Sequence, residues 1–226
     1  MNAKQVYEKY GRFIDRYHGG MPAGFLAAIS AHESSGNVDA VGDPRLGERG
    51  LFQITENFPK TVGVNPAVRL TAEGNTFLAS LEYAIEAERM LVRHPGLIVS
   101  GSKDQWLMSR LVFALGIGAV KKLIEKVRPS TRGNMYGEIR SFVNANPGTT
   151  VSGYPASTVL KRVNGTQSLW DEGAMVVPSQ TVGVPEKPPA PAGIAYQLPR
   201  GITLPSPSGA LPLIAVGALA LIFFAR

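Results

Sequence analysis

Apolar residues recur at three- and four-residue spacing from Val6 to Val143, and nowhere in that span do they alternate with period two over any length. The first period belongs to helices seated on a core, and the second would be needed for half-buried strands. Val6, Tyr10, Phe13, Ile14 and Tyr17 mark a first helix. Pro22 opens a second at its first turn, where a missing N–H costs nothing. Phe25, Leu26 and Ile29 share one face of it, and Gly36 stops it. Phe77, Leu78, Leu81, Ile85 and Met90 give a longer amphipathic helix. Ser102 with Gln105 forms a capping box ahead of Trp106, Leu107 and Leu111. Residues 118–127 and 133–143 read as two more helices, with Pro129 between them. The expected fold is mainly α, with one domain over residues 1–150. At 44% hydrophobic residues, the chain has enough apolar side chains for a packed core.

Prolines divide the chain, six before Pro147 and eleven from there on. Residues 151–177 read as an extension of the domain, with Val159, Leu160 and Val163 on a short helix and Trp170 docking it. Residues 178–208 are dominated by Pro, Gly, Ala and Ser, a composition that favours extended polyproline conformations and buries little. They are expected to be a semi-rigid linker. Residues 209–226 are read as a C-terminal hydrophobic helix. Ala210 to Ala225 carries no charge and ends at Arg226. As a helix it would span about 24 Å, against about 30 Å for a bilayer core. With flanking small residues and a snorkelling arginine it is expected to anchor the chain in a membrane.

The net charge is +6. Residues 166–226 contribute three basic and three acidic side chains, so the excess lies entirely in the first 165. Such a domain is drawn to polyanions such as nucleic acid, anionic lipid or acidic cell wall. Lys121, Lys122, Lys126, Arg128 and Arg132 have little aromatic interleaving and read as a solvated helix face, so nucleic acid is not an expected partner. There is no cysteine, and His18, His32 and His94 lack metal-ligand spacing. No metal or cofactor is expected.

One stretch carries chemistry. Glu33 ends an apolar helix-like run, one turn beyond Ile29, and is followed by the glycine-rich segment GNVDAVGDPRLGERGLFQI. A carboxyl group held against apolar surroundings has its pKa raised and can serve as a proton donor near neutral pH. Taken alone, the plain alternative is a glutamate at a helix end pointing into solvent. Asp39, Asp43 and Glu48 are the only acids of the loop and are read as loop-structuring or solvated, Glu48 with Arg49 as an exposed pair.

The order Glu33, Ser34, Gly36, Asn37, then Ala40 to Asp43, then Gly50 to Gln53, resembles the lytic transglycosylases of the lysozyme-like superfamily. In that family a glutamate-serine pair precedes a loop and a glycine-apolar-glutamine run that lines a sugar cleft. Two further stretches echo it in order. Val112 to Gly118 stands where the family has alanine-tyrosine-asparagine-alanine-glycine-proline-glycine, with Phe113 for the tyrosine and Ala114 for the asparagine. Glu138 to Val143 stands at a glutamate-threonine-arginine-x-tyrosine-valine motif, with Phe142 for its tyrosine and Tyr136 as the nearest other hydroxyl.

The resemblance implies a lysozyme-like domain that cuts peptidoglycan between N-acetylmuramic acid and N-acetylglucosamine. Glu33 would protonate the glycosidic oxygen, then accept the muramyl 6-hydroxyl proton as a 1,6-anhydro ring closes. Ser34, Gln53, Phe113, Tyr136 and Glu138 would bind the sugar. The opening residues MNAKQVYEKYGRF lack the apolar core of a secretory signal, so the expected setting is a bacteriophage virion enzyme. It would be associated with a membrane and other virion proteins, and would open the wall in the host periplasm as the genome passes. The alternatives are a catalytically idle wall-binding or structural module, a lysozyme-type hydrolase, and a wall-remodelling enzyme of a secretion or conjugation machine.

Overall fold

The computed structural model describes residues 1–173. It is mainly helical: α1 (Ala3–Tyr17), α2 (Ala23–Ser34), α3 (Asn57–Thr61), a 3-10 turn (Pro66–Leu70), α4 (Ala72–Arg93), α5 (Lys103–Leu115), α6 (Ile117–Val127), α7 (Met135–Ala145), and α8 (Ala156–Gly173). Between α7 and α8 a two-stranded antiparallel hairpin pairs Thr150 with Pro155 and Val151 with Tyr154. The Pro-rich linker and the C-terminal hydrophobic segment lie outside the described residues. Within the described residues no helix is long and apolar enough to cross a membrane.

α2 is the axis of the fold. Gly24 to Ala31 is buried without a break, which is what a helix with apolar or small side chains on every face requires. Its alanines let α1 and α8 pack directly against it. α1 contributes Val6, Tyr10, Ile14 and Tyr17, a stripe at helical spacing. α4 packs on α1 and α5, and α5 in turn contacts α6, α7 and α8. α8 completes this core. Val159, Leu160, Val163, Thr166 and Trp170 all lie within its buried face, and the Trp170 ring is 5.0 Å from that of Phe25.

The helix ends differ in detail from the sequence expectation. Pro22 is the N-cap of α2, not its first residue. Ser35 takes the left-handed turn that ends α2 (φ 53°), one residue before Gly36 (φ 70°). At α5 the capping box is half formed. Ser102 accepts from Gln105 N, but Gln105 Oε1 accepts from Gly101 N and its Nε2 donates to Ala87 O, because its carboxamide turns into the buried contact with α4. α7 starts at Met135, since Gly133 (φ 74°) and Asn134 still belong to the preceding turn. Its first amides are capped instead by Asp104 of α5, whose two carboxylate oxygens accept from Met135 N and Tyr136 N. α3 and the 3-10 turn have no apolar periodicity of their own. They are set by chain-local devices such as Asn65 Oδ1 accepting from Ala67 N ahead of Pro66.

Candidate active site

The segment after α2 folds back on itself. Val41 bridges to Arg49 and Arg49 to Ile54, and Gly50 N donates to Ala40 O. Gly50 has φ 80°, and a Cβ there would sit 2.4 Å from Asn75 Nδ2, so the close approach of loop to α4 requires glycine. Asn75 is wholly buried and clamps this loop. Its Oδ1 accepts from Phe52 N, while Nδ2 donates to Arg49 O and Arg69 O. From the other side, the Ser34 hydroxyl lies 2.9 Å from Leu51 O and 3.0 Å from Ser30 O. Ser34 thus pins the end of α2 to the loop seventeen residues later.

Gln53 is buried, with φ 54°. Its Nε2 donates to Gly50 O at 2.7 Å and reaches Ala40 O at 3.4 Å. Its Oε1 lies against Gly42. The polar groups of Ser34 and Gln53 are therefore turned onto the backbone of the loop. Glu48 differs from the exposed pair read in the sequence: its Oε2 accepts from Asp43 N and closes the loop. Asp43 pairs with Arg45.

Glu33 is nearly enclosed, with 3% of its side chain exposed. Its Oε1 accepts from Nη2 of Arg110 on α5, whose side chain is fully buried. Its Oε2 accepts from Nη2 of Arg162 on α8 at 3.1 Å, and that arginine is half-exposed. Arg110 spends its remaining donors inside the core, Nη1 on Tyr83 Oη of α4 at 3.0 Å and Nε on Thr166 Oγ1 of α8 at 3.2 Å. A buried guanidinium satisfied on three sides is geometrically fixed, and so is the carboxylate that it holds.

This overturns the electrostatic expectation for Glu33. Burial alone pushes its carboxyl up, but His32, Arg110 and Arg162 pull it down further, to about 2. His32 Nδ1 stands 3.8 Å from Glu33 Oε1, beyond hydrogen-bond length. The sequence shows the apolar residues around Glu33 but not the two arginines that arrive from positions 110 and 162. In this arrangement Glu33 is ionised at neutral pH. With both arginines in place the carboxylate can accept a proton or stabilise a developing cation.

Two of the three remaining sequence-derived residues join the cluster. Phe113 stacks on Tyr83 with centroids 4.9 Å apart, and the Arg110 guanidinium lies 5.5 Å from the Phe113 ring centre. Tyr136 is buried and donates its hydroxyl to Asn164 Oδ1 on α8 at 2.8 Å. Burial raises its pKa, partly offset by Arg140 and Arg110. Glu138 has other work: its carboxylate accepts from Ser130 N and Thr131 N and closes the turn after α6.

Tyr83, Arg110 and Arg162 carry no motif in the sequence. The available signal was an arginine between Met108 and Leu111 in an otherwise apolar face, a charge that only a buried partner can retain. Asn164-Gly165-Thr166 matches the Asn-x-Thr glycosylation pattern by coincidence and is a structural run. Asn164 receives Tyr136, Thr166 receives Arg110, and a Cβ at Gly165 would lie 2.7 Å from His32 Nε2. Among the described residues, no three His, Asp or Glu side chains are grouped to hold a metal ion. No protein-family model matches the chain, and no curated protein is significantly similar to it.

Proposed function

We propose that the chain is a peptidoglycan lytic transglycosylase whose reaction centres on Glu33. The observation that carries the reading is the bond from Ser34 to Leu51 O. It joins the glutamate-serine pair to the glycine-apolar-glutamine run beside a fixed, ionised carboxylate. As sugar displaces the half-exposed Arg162, Glu33 takes up a proton and gives it to the glycosidic oxygen as the C1–O bond breaks, then accepts the 6-hydroxyl proton as that oxygen bonds C1 and the anhydro ring closes. Arg162, half-exposed and bonded to one carboxylate oxygen, is the group that yields when sugar arrives. Ser34 and Gln53 act by shaping the loop, and Phe113 with Tyr83 forms an aromatic wall next to Arg110. The partners are glycan strands, a membrane through residues 209–226, and other virion proteins. The setting is a phage particle that opens the host wall locally.

The test is incubation of the purified protein with peptidoglycan, followed by mass analysis of soluble products. Muropeptides with 1,6-anhydro ends are expected. Reducing ends would make it a lysozyme-type hydrolase. A second reading, an idle wall-binding module, is favoured by one feature: both oxygens of Glu33 are held by arginines. Binding to wall without any product would select it.

A further inference from the structure

The two arginines on Glu33 differ in how they can leave it. Arg110 has no exposed side-chain surface and donates to Glu33, Tyr83 and Thr166, so drawing it away would break all three bonds inside the core. Arg162 has 49% of its side chain exposed, and only its Nη2 meets Glu33. Among the described residues Glu33 is its one hydrogen-bond acceptor. A turn of the Arg162 side chain into solvent frees one oxygen of Glu33 and leaves the packing of α2 on α8 in place.

The fold keeps that freed guanidinium beside the site. α8 runs antiparallel to α2, since Trp170 meets Phe25, Gly165 meets His32, and Arg162 meets Glu33. Arg162 therefore stands where α2 ends and the loop closed by Ser34 begins. Its exposed neighbour Lys161 adds a second positive charge, and the α8 acid Asp171 is paired with Lys103. An arginine drawn off one carboxylate is best received by another. Its planar fork fits a carboxylate bidentately, and charge-assisted bonds are roughly twice as strong as those to neutral hydroxyls.

We propose that Arg162 is a substrate-recognition residue, exchanging the Glu33 carboxylate for a carboxylate borne by the muramyl residue that is cut. The inference rests on the transglycosylase reading and adds to it the class of strand that the site prefers. Such a carboxylate has two sources: the lactyl group of a muramyl residue that carries no peptide, and the acids of an attached stem peptide. Direct contact between Arg162 and Glu33 favours the lactyl group, which sits on the ring whose C1–O bond Glu33 serves. The reaction that supplies this strand is then hydrolysis of the amide between lactyl group and peptide. The exchange is also the trigger. Glu33 is 3% exposed, and with Arg162 drawn away one of the charges holding its carboxyl down is gone. The carboxyl rises, takes a proton from solvent and keeps it for the glycosidic oxygen. A strand without a carboxylate leaves Arg162 closed on Glu33.

The experiment gives the full chain three forms of one glycan preparation: strands stripped of peptide by an amidase, the same stripped strands with their lactyl carboxyls converted to amides, and strands that keep their peptides. kcat and KM are measured for wild type, Arg162→Gln and Arg162→Lys. Wild type should cleave a carboxylate-bearing strand with kcat/KM about tenfold or more above the amidated strand, as a hydrogen bond between charged groups allows. A lead for stripped strands assigns the lactyl carboxylate, and a lead for peptide-bearing strands assigns the stem peptide. Arg162→Gln should erase the preference, mainly through KM, and Arg162→Lys should restore part of it. Equal wild-type values on amidated and carboxylate-bearing strands, or a preference that Arg162→Gln retains, overturns the proposal. The wild-type comparison decides alone if Arg162→Gln does not fold. If no strand yields any product, it is the transglycosylase reading that fails. Calorimetric binding of the same three strands then tests Arg162, and equal affinities overturn its role.

Discussion

Arg110, enclosed between α4, α5 and α8, holds the Glu33 carboxylate from a position seventy-seven residues away. The pair makes the site rigid, and it also makes Glu33 structurally important. Breaking a buried ion pair by removing one partner costs about 3–5 kcal/mol, because the other charge is left uncompensated. Arg110→Met should therefore destabilise strongly in chemical denaturation. Glu33→Gln should destabilise less, since its amide oxygen still accepts from Arg110. The double variant Glu33→Gln/Arg110→Met should be more stable than the sum of the single losses. Full additivity in that cycle would mean that the two groups do not interact.

Gln53 is expected to matter for stability rather than for substrate contact. Its carboxamide bonds Gly50 O within its own loop. Gln53→Ala should cost about 0.5–1.5 kcal/mol for the lost hydrogen bond, and the positive φ gains nothing from alanine. Thermal unfolding should shift down while turnover per folded molecule stays near wild type. An unchanged melting temperature with lower turnover would return Gln53 to the sugar cleft.

Gly165 lets α8 lie close over His32. A methyl group there would come within 2.7 Å of His32 Nε2, and overpacking of this kind costs about 1–3 kcal/mol. Gly165→Ala should lower the melting temperature, and adding His32→Ala should restore part of the loss. If Gly165→Ala is neutral, His32 swings aside freely and α8 is not seated on it.

The helices were legible because each buries one stripe, and a stripe is written in spacing. α1 and the α4 residues Phe77, Leu78 and Leu81 show this, and so does the Val159–Trp170 face of α8. The site was legible only in its local half. Glu33, Ser34 and the Gly50–Gln53 loop are neighbours in sequence, and their order could be read. What reverses the charge state of Glu33 comes from Arg110 and Arg162, on helices whose packing order no local pattern encodes. Gln53 looked like a free amide because its positive φ, which turns the carboxamide inward, is a property of the folded loop and leaves no mark in the residue type. Glu82 carried no motif, and its burial on α4 comes from packing that the residue type does not show.

The two carboxyls should leave opposite marks on stability against pH. The Glu33 carboxyl is lowered from 4.5 to about 2 in the folded chain. The native state therefore binds fewer protons than the unfolded state between those values, and stability rises with pH across that window. Its contribution is present above about 4.5 and is lost as pH falls toward 2. The Glu82 carboxyl is raised from 4.5 to about 8, so the native state binds more protons there and stability declines as pH rises between those values. Melting temperature followed across pH should show both slopes. Glu33→Gln should flatten the acid one and leave the alkaline decline. Glu82→Gln should flatten the alkaline one and raise the melting temperature at pH 8 above wild type, because the amide no longer has to be kept protonated against solvent. A Glu82→Gln variant that is less stable than wild type at pH 8 would mean that its carboxylate is solvated and ordinary.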